Sequence, residues 1–177
     1  MELAQEKHFG PPDRLSDRLG LNNTENCNAW NMIRLTGLLF GFEPKAEYGD
    51  FVERLLWNQV LAAQHPGDGR VCYYMPLASD HTKPYETLYD RFSCCTCSGF
   101  DSYARHGDSI YFHTADTLFV NLFIASEVHW KDKRVRLRQE TRFPEEESVR
   151  YKLTCDGQPA FKLALKDLPR IWAQAVG

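Results

Sequence analysis

The hydrophobic pattern of this chain changes from a helical period to a strand period near Asp108. Before that point, apolar residues recur every three to four positions, which is the spacing of an amphipathic helix. After it, short runs rich in Val, Leu, Phe and Tyr are separated by turn residues, as in β-strands. A chain that is helical first and β-rich later predicts an α+β fold. We therefore expect two domains, at residues 1–107 and 108–177.

Two helices are predicted in the first domain. The first covers residues 25–40, with Glu25 in its first turn, and ends at Gly41. Pro44 suits the first turn of a second helix, which continues to about Ala63. Because the connection between them is short, the two helices are expected to be antiparallel neighbours.

Shorter elements are predicted for the rest of the chain. The aromatic segment 71–77 is typical of a strand, and residues 98–105 are compatible with a short helix that follows a cysteine-bearing loop. Five further strands are predicted at residues 109–113, 117–125, 135–141, 149–154 and 160–165.

Composition and charge exclude several classes of protein. The net charge is -3, and the densest basic stretch, residues 131–138, alternates with apolar residues as the solvent face of a strand does. We therefore expect no nucleic-acid partner, which would require a clustered basic patch. No apolar run approaches the roughly 18–20 residues of a membrane span, so no membrane partner is expected. The N-terminal residues lack the shape of a signal peptide, which predicts a cytoplasmic location.

The six cysteines are placed unlike those of a disulfide framework. Cys94, Cys95 and Cys97 fall within four positions, and adjacent cysteines do not pair readily because the short loop strains the bond. Reduced, metal-binding or reactive thiols fit this placement better.

One acidic and three thiol side chains form a candidate zinc site. Glu25 and Cys27 lie at the predicted start of a helix, where negative charge is stabilised, and Cys94 and Cys95 are adjacent. Zinc binds thiolates and carboxylates in sets of four. The alternative is that Cys27 is a small buried side chain and that the paired cysteines are free thiols in a tight turn.

Seven segments, in order and at similar spacing, resemble the β-L-arabinofuranosidases of glycoside hydrolase families 127 and 146. They are HFGPP at 8–12, TENCN at 24–28, NMIRLT at 31–36, YGDFVER at 48–54, FSCCT at 92–96, GDSIYF at 107–112 and LFVNLFIAS at 118–126. The resemblance covers nearly the whole chain, and the ordered set is far more specific than any one segment.

The resemblance implies a retaining glycosidase that acts on non-reducing-end β-L-arabinofuranosides, with an arabinose-containing glycan as its substrate. It implies the last helices of an (α/α)6 barrel, followed by the first strands of an antiparallel β-sandwich. It also implies that Glu25, Cys27, Cys94 and Cys95 bind Zn2+. Cys94 takes the position of the nucleophile, in place of one carboxylate of the usual retaining pair.

The chain departs from the family pattern near its beginning. Lys7 stands where the family has its acid/base glutamate, so either Glu6 serves through a small shift in register or the acid/base is absent. His8 is a candidate for substrate binding, with core packing as the alternative. Cys97 stands where many relatives have glycine, and we expect it to have no role because four zinc positions are already filled.

Three hypotheses about function follow. The first is a zinc-dependent glycosidase, incomplete in this chain because most of the barrel is missing. The second is a non-catalytic, zinc-stabilised carbohydrate-binding or interaction module derived from the same family. The third is an incomplete gene product whose exposed apolar helix faces cause self-association.

Overall fold

The computed structural model of the chain describes residues 4–5, 8–9, 19–87 and 89–166, with only the backbone described for the first two pairs. These residues fall into two compact units. The helical unit takes the described residues within 1–43 and 50–105, and the β unit takes those within 44–49 and 106–177. The predicted α+β class is confirmed.

The first helix, α1, extends over Asn26–Phe42. Glu25 precedes it as an extended N-cap residue. The prediction that the helix ends at Gly41 is wrong: Gly41 does not adopt the left-handed conformation that ends a helix, and α1 continues to Phe42. It ends instead because Glu43 is extended, with φ -143° and ψ 104°. Glu43 precedes Pro44, and a residue before proline is driven away from helical geometry.

α1 is apolar on two faces. One face is buried in the helical unit and includes Ala29, Trp30, Ile33 and Phe40. The other presents exposed side chains at the spacing i, i+3, i+4 and i+7, namely Leu35, Leu38, Leu39 and Phe42. A helix that is apolar all round is normally covered on both sides.

The second helix is not continuous, contrary to the prediction. α2 covers Ala46–Leu55, and a π-helical segment follows at Leu56–Leu61. Gln59 in this segment is buried, and its side-chain amide donates a hydrogen bond of 3.2 Å to the carbonyl oxygen of Thr24. The wider π-helical turn thus brings the side chain of Gln59 into contact with Thr24, the residue before Glu25. Single π turns in α-helices are frequent at functional sites.

The strand predicted at residues 71–77 does not form. Val71 pairs with Gln64, Cys72 with Tyr85, and Tyr74 with Glu25, each as an isolated bridge. Because each bridge has a different partner segment, no ladder extends beyond one residue. The segment is nevertheless held beside the start of α1.

The third helix, α3, covers Cys94–Ala104. The prediction that the paired cysteines lie in a loop before the helix is therefore wrong. Ser93 is the N-cap residue, and its hydroxyl accepts a hydrogen bond of 3.1 Å from the backbone N–H of Thr96. Serine is among the preferred N-cap residues because it satisfies an otherwise unpaired N–H. Because Ser93 caps the helix, α3 begins at Cys94 and not at the predicted residue 98.

The described part of the β unit contains two three-stranded sheets. A separate short pair, β1 (Ala4–Gln5) and β2 (His8–Phe9), comes earlier in the chain. The strands of the two sheets are β3 (Tyr111–His113), β4 (Thr117–Val120), β5 (Ser126–Trp130), β6 (Val135–Thr141), β7 (Val149–Cys155) and β8 (Lys162–Leu165). One sheet has the order β3-β4-β8, with β4 and β8 parallel, and the other has the antiparallel order β5-β6-β7. A core of Leu118, Val120, Trp130, Val135 and Leu137 holds the unit together.

The strand predicted at residues 117–125 is shorter in the structure, and β5 was not predicted. The single predicted strand is interrupted because of Gln139 of β6, whose side chain is almost fully buried. Its amide donates to the carbonyl oxygens of Leu122, at 3.0 Å, and Ile124, at 2.6 Å. A side chain thus satisfies backbone groups that a continuing strand would use. Among the described helices, none combines the length and the apolar character that a membrane crossing requires.

Candidate metal centre and active site

The structure brings together the four side chains predicted to bind zinc. Glu25 and Cys27 lie at the start of α1, and Cys94 and Cys95 form the first turn of α3. One ligand atom from each of the four lies within 4.8 Å of every other. Cys97, although on the same turn of α3, is exposed and does not belong to this group of four.

The distances in the group match those of a small tetrahedral site. The Sγ atoms of Cys27 and Cys94 are 3.6 Å apart, and Glu25 Oε2 lies 3.2 Å from the first and 3.8 Å from the second. A tetrahedral zinc ion with Zn–S bonds of about 2.3 Å separates its sulfur ligands by about 3.8 Å. The donors therefore fit a zinc ion with little rearrangement, and thiolate donors are those that zinc prefers.

The electrostatics of the group also favour a cation. A hydrogen bond with Cys95, together with burial, holds the pKa of Cys27 far above its usual range. Three thiols and a carboxylate in so small a volume cannot all ionise without compensation, and a bound divalent cation supplies it. The two helix starts add positive partial charge on the same side, because unpaired N–H groups are concentrated there.

Burial differs sharply among the three thiols. Cys95 is fully buried and Cys27 is partly buried, whereas Cys94 is exposed. The group is thus closed on the side of Cys95 and open on the side of Cys94. An exposed thiolate held by a metal or a positive environment is the form that reacts as a nucleophile.

Tyr73 is a further member of the site that sequence reasoning missed. Its hydroxyl lies 3.4 Å from Cys94 Sγ, and its backbone oxygen lies 3.7 Å from Cys95 Sγ. The hydrogen bond with Cys94 is the largest cause that raises the pKa of Tyr73, so the phenol keeps its proton. Tyr73 belongs to the segment that was predicted to be a strand. Its distance along the chain from the cysteines gives no indication that it lies beside them.

A cavity of about 490 Å³ opens beside Glu25. Its lining mixes polar and apolar side chains: Thr24, Glu25, Asn28, Ala29, Met32, Phe51, Arg54, Leu55 and Gln59. Small-molecule sites commonly have volumes of roughly 300–1,000 Å³ and a few convergent polar groups. A larger groove of about 850 Å³ on the β unit is lined by opposed arginines and glutamates, such as the Arg142–Glu146 pair.

The remaining predicted site residues lie near the beginning of the chain. Glu6 and Lys7 are outside the described residues. The backbone of His8 belongs to β2 and pairs with Gln5 of β1, and its side chain is not among those described.

The chain matches two family models, one for each part of the sequence. Residues 3–108 match the β-L-arabinofuranosidase GH127 catalytic domain, and residues 117–176 match the GH127 middle domain. No curated protein sequence matches the chain significantly.

Solved structures give the same result. The chain is similar to Ara127N-Se, described as a GH127 β-L-arabinofuranosidase from Geobacillus stearothermophilus T6, with a TM-score of 0.66 and 25% identity over 80% of this chain. It is similar to BT3674, described as a GH127 β-arabinofuranosidase, with a TM-score of 0.71 and 25% identity over 90% of this chain. It spans 24% and 25% of the length of those chains. Together with the catalytic-domain match, these similarities show that the chain belongs to the GH127 family of β-L-arabinofuranosidases.

Proposed function

We propose that this chain carries the zinc-binding and nucleophilic half of the active site of a retaining glycosidase. Its substrate would be a glycan with a non-reducing-end β-L-arabinofuranosyl unit. The observation that carries the proposal is the convergence of Glu25, Cys27, Cys94 and Cys95 within 4.8 Å, in a chain of the GH127 family.

Zinc would be held by Glu25, Cys27, Cys94 and Cys95, and when bound it would keep these sulfur ligands deprotonated at neutral pH. Two further features of the site favour the sulfur of Cys94 as the nucleophile. Tyr73 offers its hydroxyl to Cys94, and the exposure of Cys94 leaves room for a sugar. Glu25 is buried, and its Oε2 lies 3.2 Å from Cys27 Sγ, which places the carboxylate against the cluster.

Cys94 would act in two displacements. In the first, its Sγ attacks the anomeric carbon, the glycosidic C–O bond breaks, and a general acid protonates the leaving oxygen. In the second, water attacks the same carbon while the same group accepts its proton, and the C–S bond breaks to return the thiolate. Glu6 is our candidate for that group, and His8 is our candidate for an additional sugar contact.

The cavity beside Glu25 is suited to hold the arabinofuranosyl ring. Arg54, Asn28 and Gln59 supply donors and acceptors for sugar hydroxyls, while Met32 and Phe51 supply apolar surface for ring carbons. Convergent polar groups in a partly apolar cavity are the usual means by which a protein orients a small polar ligand.

The exposed face of α1 fits an incomplete catalytic domain. Four large apolar side chains line it, and Phe42 is 87% exposed. We propose that the helices belong to an (α/α)6 barrel whose other helices cover this face, that the β unit begins a β-sandwich, and that the domain boundary lies at residues 107–108. The chain's span of about a quarter of its solved relatives supports this reading.

The test of the mechanism is the release of the aryl group from an aryl β-L-arabinofuranoside by the full chain. Any turnover by the unaltered protein should be retained in Cys97→Ser and lost in Cys94→Ser. Cys97 provides a matched control because it lies on the same helix but outside the group of four. Turnover that is unchanged in Cys94→Ser would exclude this cysteine as the nucleophile.

A second candidate function is a zinc-stabilised carbohydrate-binding or interaction module without catalysis. It is favoured by Lys7 at the position where relatives have an acid/base glutamate, and by the short span of the chain. Saturable binding of an arabinose-containing glycan, with no sugar released over long incubation, would support this function. Release of arabinose by the chain alone would refute it.

A further inference from the structure

We propose that two contacts between α1 and α3, Trp30 with Asp101 and Asn26 with Ser98, set the affinity of the zinc site by fixing the distance between the two helix starts. These four are positioning residues, since they act through the ligands. The inference rests on the zinc site of the proposed function and goes beyond it by assigning roles to residues outside the ligand set.

The four proposed ligands lie in two pairs, and each pair is attached to one helix. Glu25 and Cys27 are attached to the start of α1, and Cys94 and Cys95 to the start of α3. The separation within each pair is fixed by its own helix. The separation between the pairs depends on how α1 and α3 are held together. Contacts between the two helices therefore determine whether four donors reach one point.

The first contact lies next to the ligands. Asn26, fully buried between Glu25 and Cys27, directs its amide Nδ2 toward Ser98 Oγ, at 3.4 Å. The Ser98 hydroxyl in turn donates to the carbonyl oxygen of Cys95, at 3.2 Å. A chain of two polar contacts thus links the turn that carries one ligand pair to the turn that carries the other.

The second contact lies one turn further along both helices. The indole Nε1–H of Trp30 donates a hydrogen bond of 2.5 Å to Asp101 Oδ2. Trp30 is only 4% exposed, and a buried indole N–H usually finds a hydrogen-bond partner, which here is this carboxylate. Because Trp30 follows Asn26 and Asp101 follows Ser98, the two helices leave the site side by side in the same direction.

The charged acceptor makes the second contact the stronger one. Hydrogen bonds to an ionised group are roughly twice as strong as those between neutral groups. Arg34 of α1 and Arg105 of α3 also lie near Asp101, at 3.9 and 3.8 Å, but both pairs are largely exposed. Exposed ion pairs of this kind contribute little. Substitution of Trp30 or Asp101 should therefore weaken zinc binding.

The experiment measures zinc affinity of the full chain by competition with a chromogenic chelator, in Trp30→Phe, Asp101→Ala, Asp101→Asn and Arg105→Gln. We expect about tenfold weaker binding in Trp30→Phe and in Asp101→Ala, the lower end of the effect of losing an outer hydrogen bond to a metal site. Asp101→Asn loses the charge but keeps an oxygen that accepts from Trp30, and should therefore lose less zinc affinity than Asp101→Ala. Arg105→Gln removes the intrahelical ion pair with Asp101 but leaves the Trp30–Asp101 hydrogen bond in place, and should bind zinc as the unaltered protein does.

Two further measurements separate positioning from general damage to the fold. Combining Trp30→Phe with Asp101→Ala should weaken binding no more than either change alone, because the pair acts as one contact. Cobalt(II), used as a probe, should show a weakened thiolate charge-transfer band in the two disruptive variants and a normal band in Asp101→Asn. If Trp30→Phe fails to fold, Asp101→Ala at its partly exposed position carries the same test.

The outcomes distinguish this inference from the proposed function. Zinc binding by the unaltered chain, with equal affinity in Trp30→Phe and Asp101→Ala, overturns the positioning role and leaves the zinc site intact. A loss of affinity in Asp101→Asn as large as that in Asp101→Ala also overturns it, because charge and not the contact would then be responsible. Absence of zinc binding in the unaltered chain overturns the zinc site and this inference with it.

Discussion

The sulfur atoms of Cys27 and Cys94 lie 3.6 Å apart although 67 positions separate these residues in the chain. Each residue belongs to the first turn of a helix, and the two helices are joined by polar contacts next to the site. Bringing ligands together across so long a loop is entropically costly in an unfolded chain, and a bound metal offsets part of that cost. Metal binding at the proposed site would therefore be coupled to the fold of the helical unit.

Tyr73→Phe should slow the alkylation of Cys94 by iodoacetamide in the reduced, metal-free protein. In the neutral pair the thiol donates to the phenol oxygen, and once the sulfur is ionised the phenol donates to it. The hydrogen bond to the ionised sulfur is stronger than the one from the neutral thiol by about 1 kcal/mol, which corresponds to roughly fivefold in rate. Peptide mass spectrometry over time measures the rate at Cys94 itself.

Tyr74→Phe is the matched control for this measurement. Its ring packs against Tyr73 at a centroid distance of 4.5 Å, but the Cys94 contact comes from Tyr73 alone of the two. Equal rates in all three proteins would show that the Tyr73 hydroxyl does not act on Cys94.

Gly99→Ala should have opposite effects on stability in two backgrounds. A Cβ on Gly99 would overlap Cγ2 of Val71, which holds the Tyr73 segment against α3. Overpacking of this kind costs about 1–3 kcal/mol, and we expect a net decrease in the free energy of unfolding. In a Val71→Ala background the overlap is gone, and alanine should instead stabilise the helix by up to about 1 kcal/mol. Urea unfolding measures both; a change of the same sign in both backgrounds would contradict the close contact.

Cys72 should make the free energy of unfolding depend on alkaline pH. Burial raises the pKa of this fully buried thiol from its usual 9.0 to about 11. Below pH 9 the thiol is protonated in both states and its contribution is complete. Between pH 9 and 11 the unfolded chain loses the proton while the native chain keeps it, so stability falls, by about 2 kcal/mol in total.

The Cys72 contribution is the difference between the pH profiles of the unaltered chain and of Cys72→Ala, both free of metal. The variant should be less stable at pH 8, because a buried side chain is shortened, but should lose less stability as the pH rises to 11. Parallel profiles would show that Cys72 ionises as readily in the native state as in the unfolded one.

Much of the candidate site could be predicted from the sequence because its four side chains come in local pairs. Glu25 and Cys27, like Cys94 and Cys95, are close in the chain, and the ordered family segments indicated that the two pairs meet. The change of hydrophobic period also predicted the α+β class, since that signal depends only on which residues face a core.

The parts that were missed depend on contacts between distant residues. Tyr73 reaches Cys94 because isolated bridges, and no regular strand, hold its segment beside α1. The π-helical turn places Gln59 against Thr24, and Gln139 ends a strand by binding Leu122 and Ile124. Periodicity carries no information on such contacts. The early start of α3 was a different error, because the Ser93 cap was visible in the sequence.

Elemental analysis of the full chain, purified without added metal, decides whether these four side chains form a metal site. We expect about one zinc per chain. We expect that zinc to be lost in a variant that combines Glu25→Ala with Cys27→Ala, and to be retained in Cys97→Ser, whose thiol lies outside the group of four. No zinc in the unaltered chain, or an undiminished content in the double variant, would contradict the claim that these four side chains form a metal site.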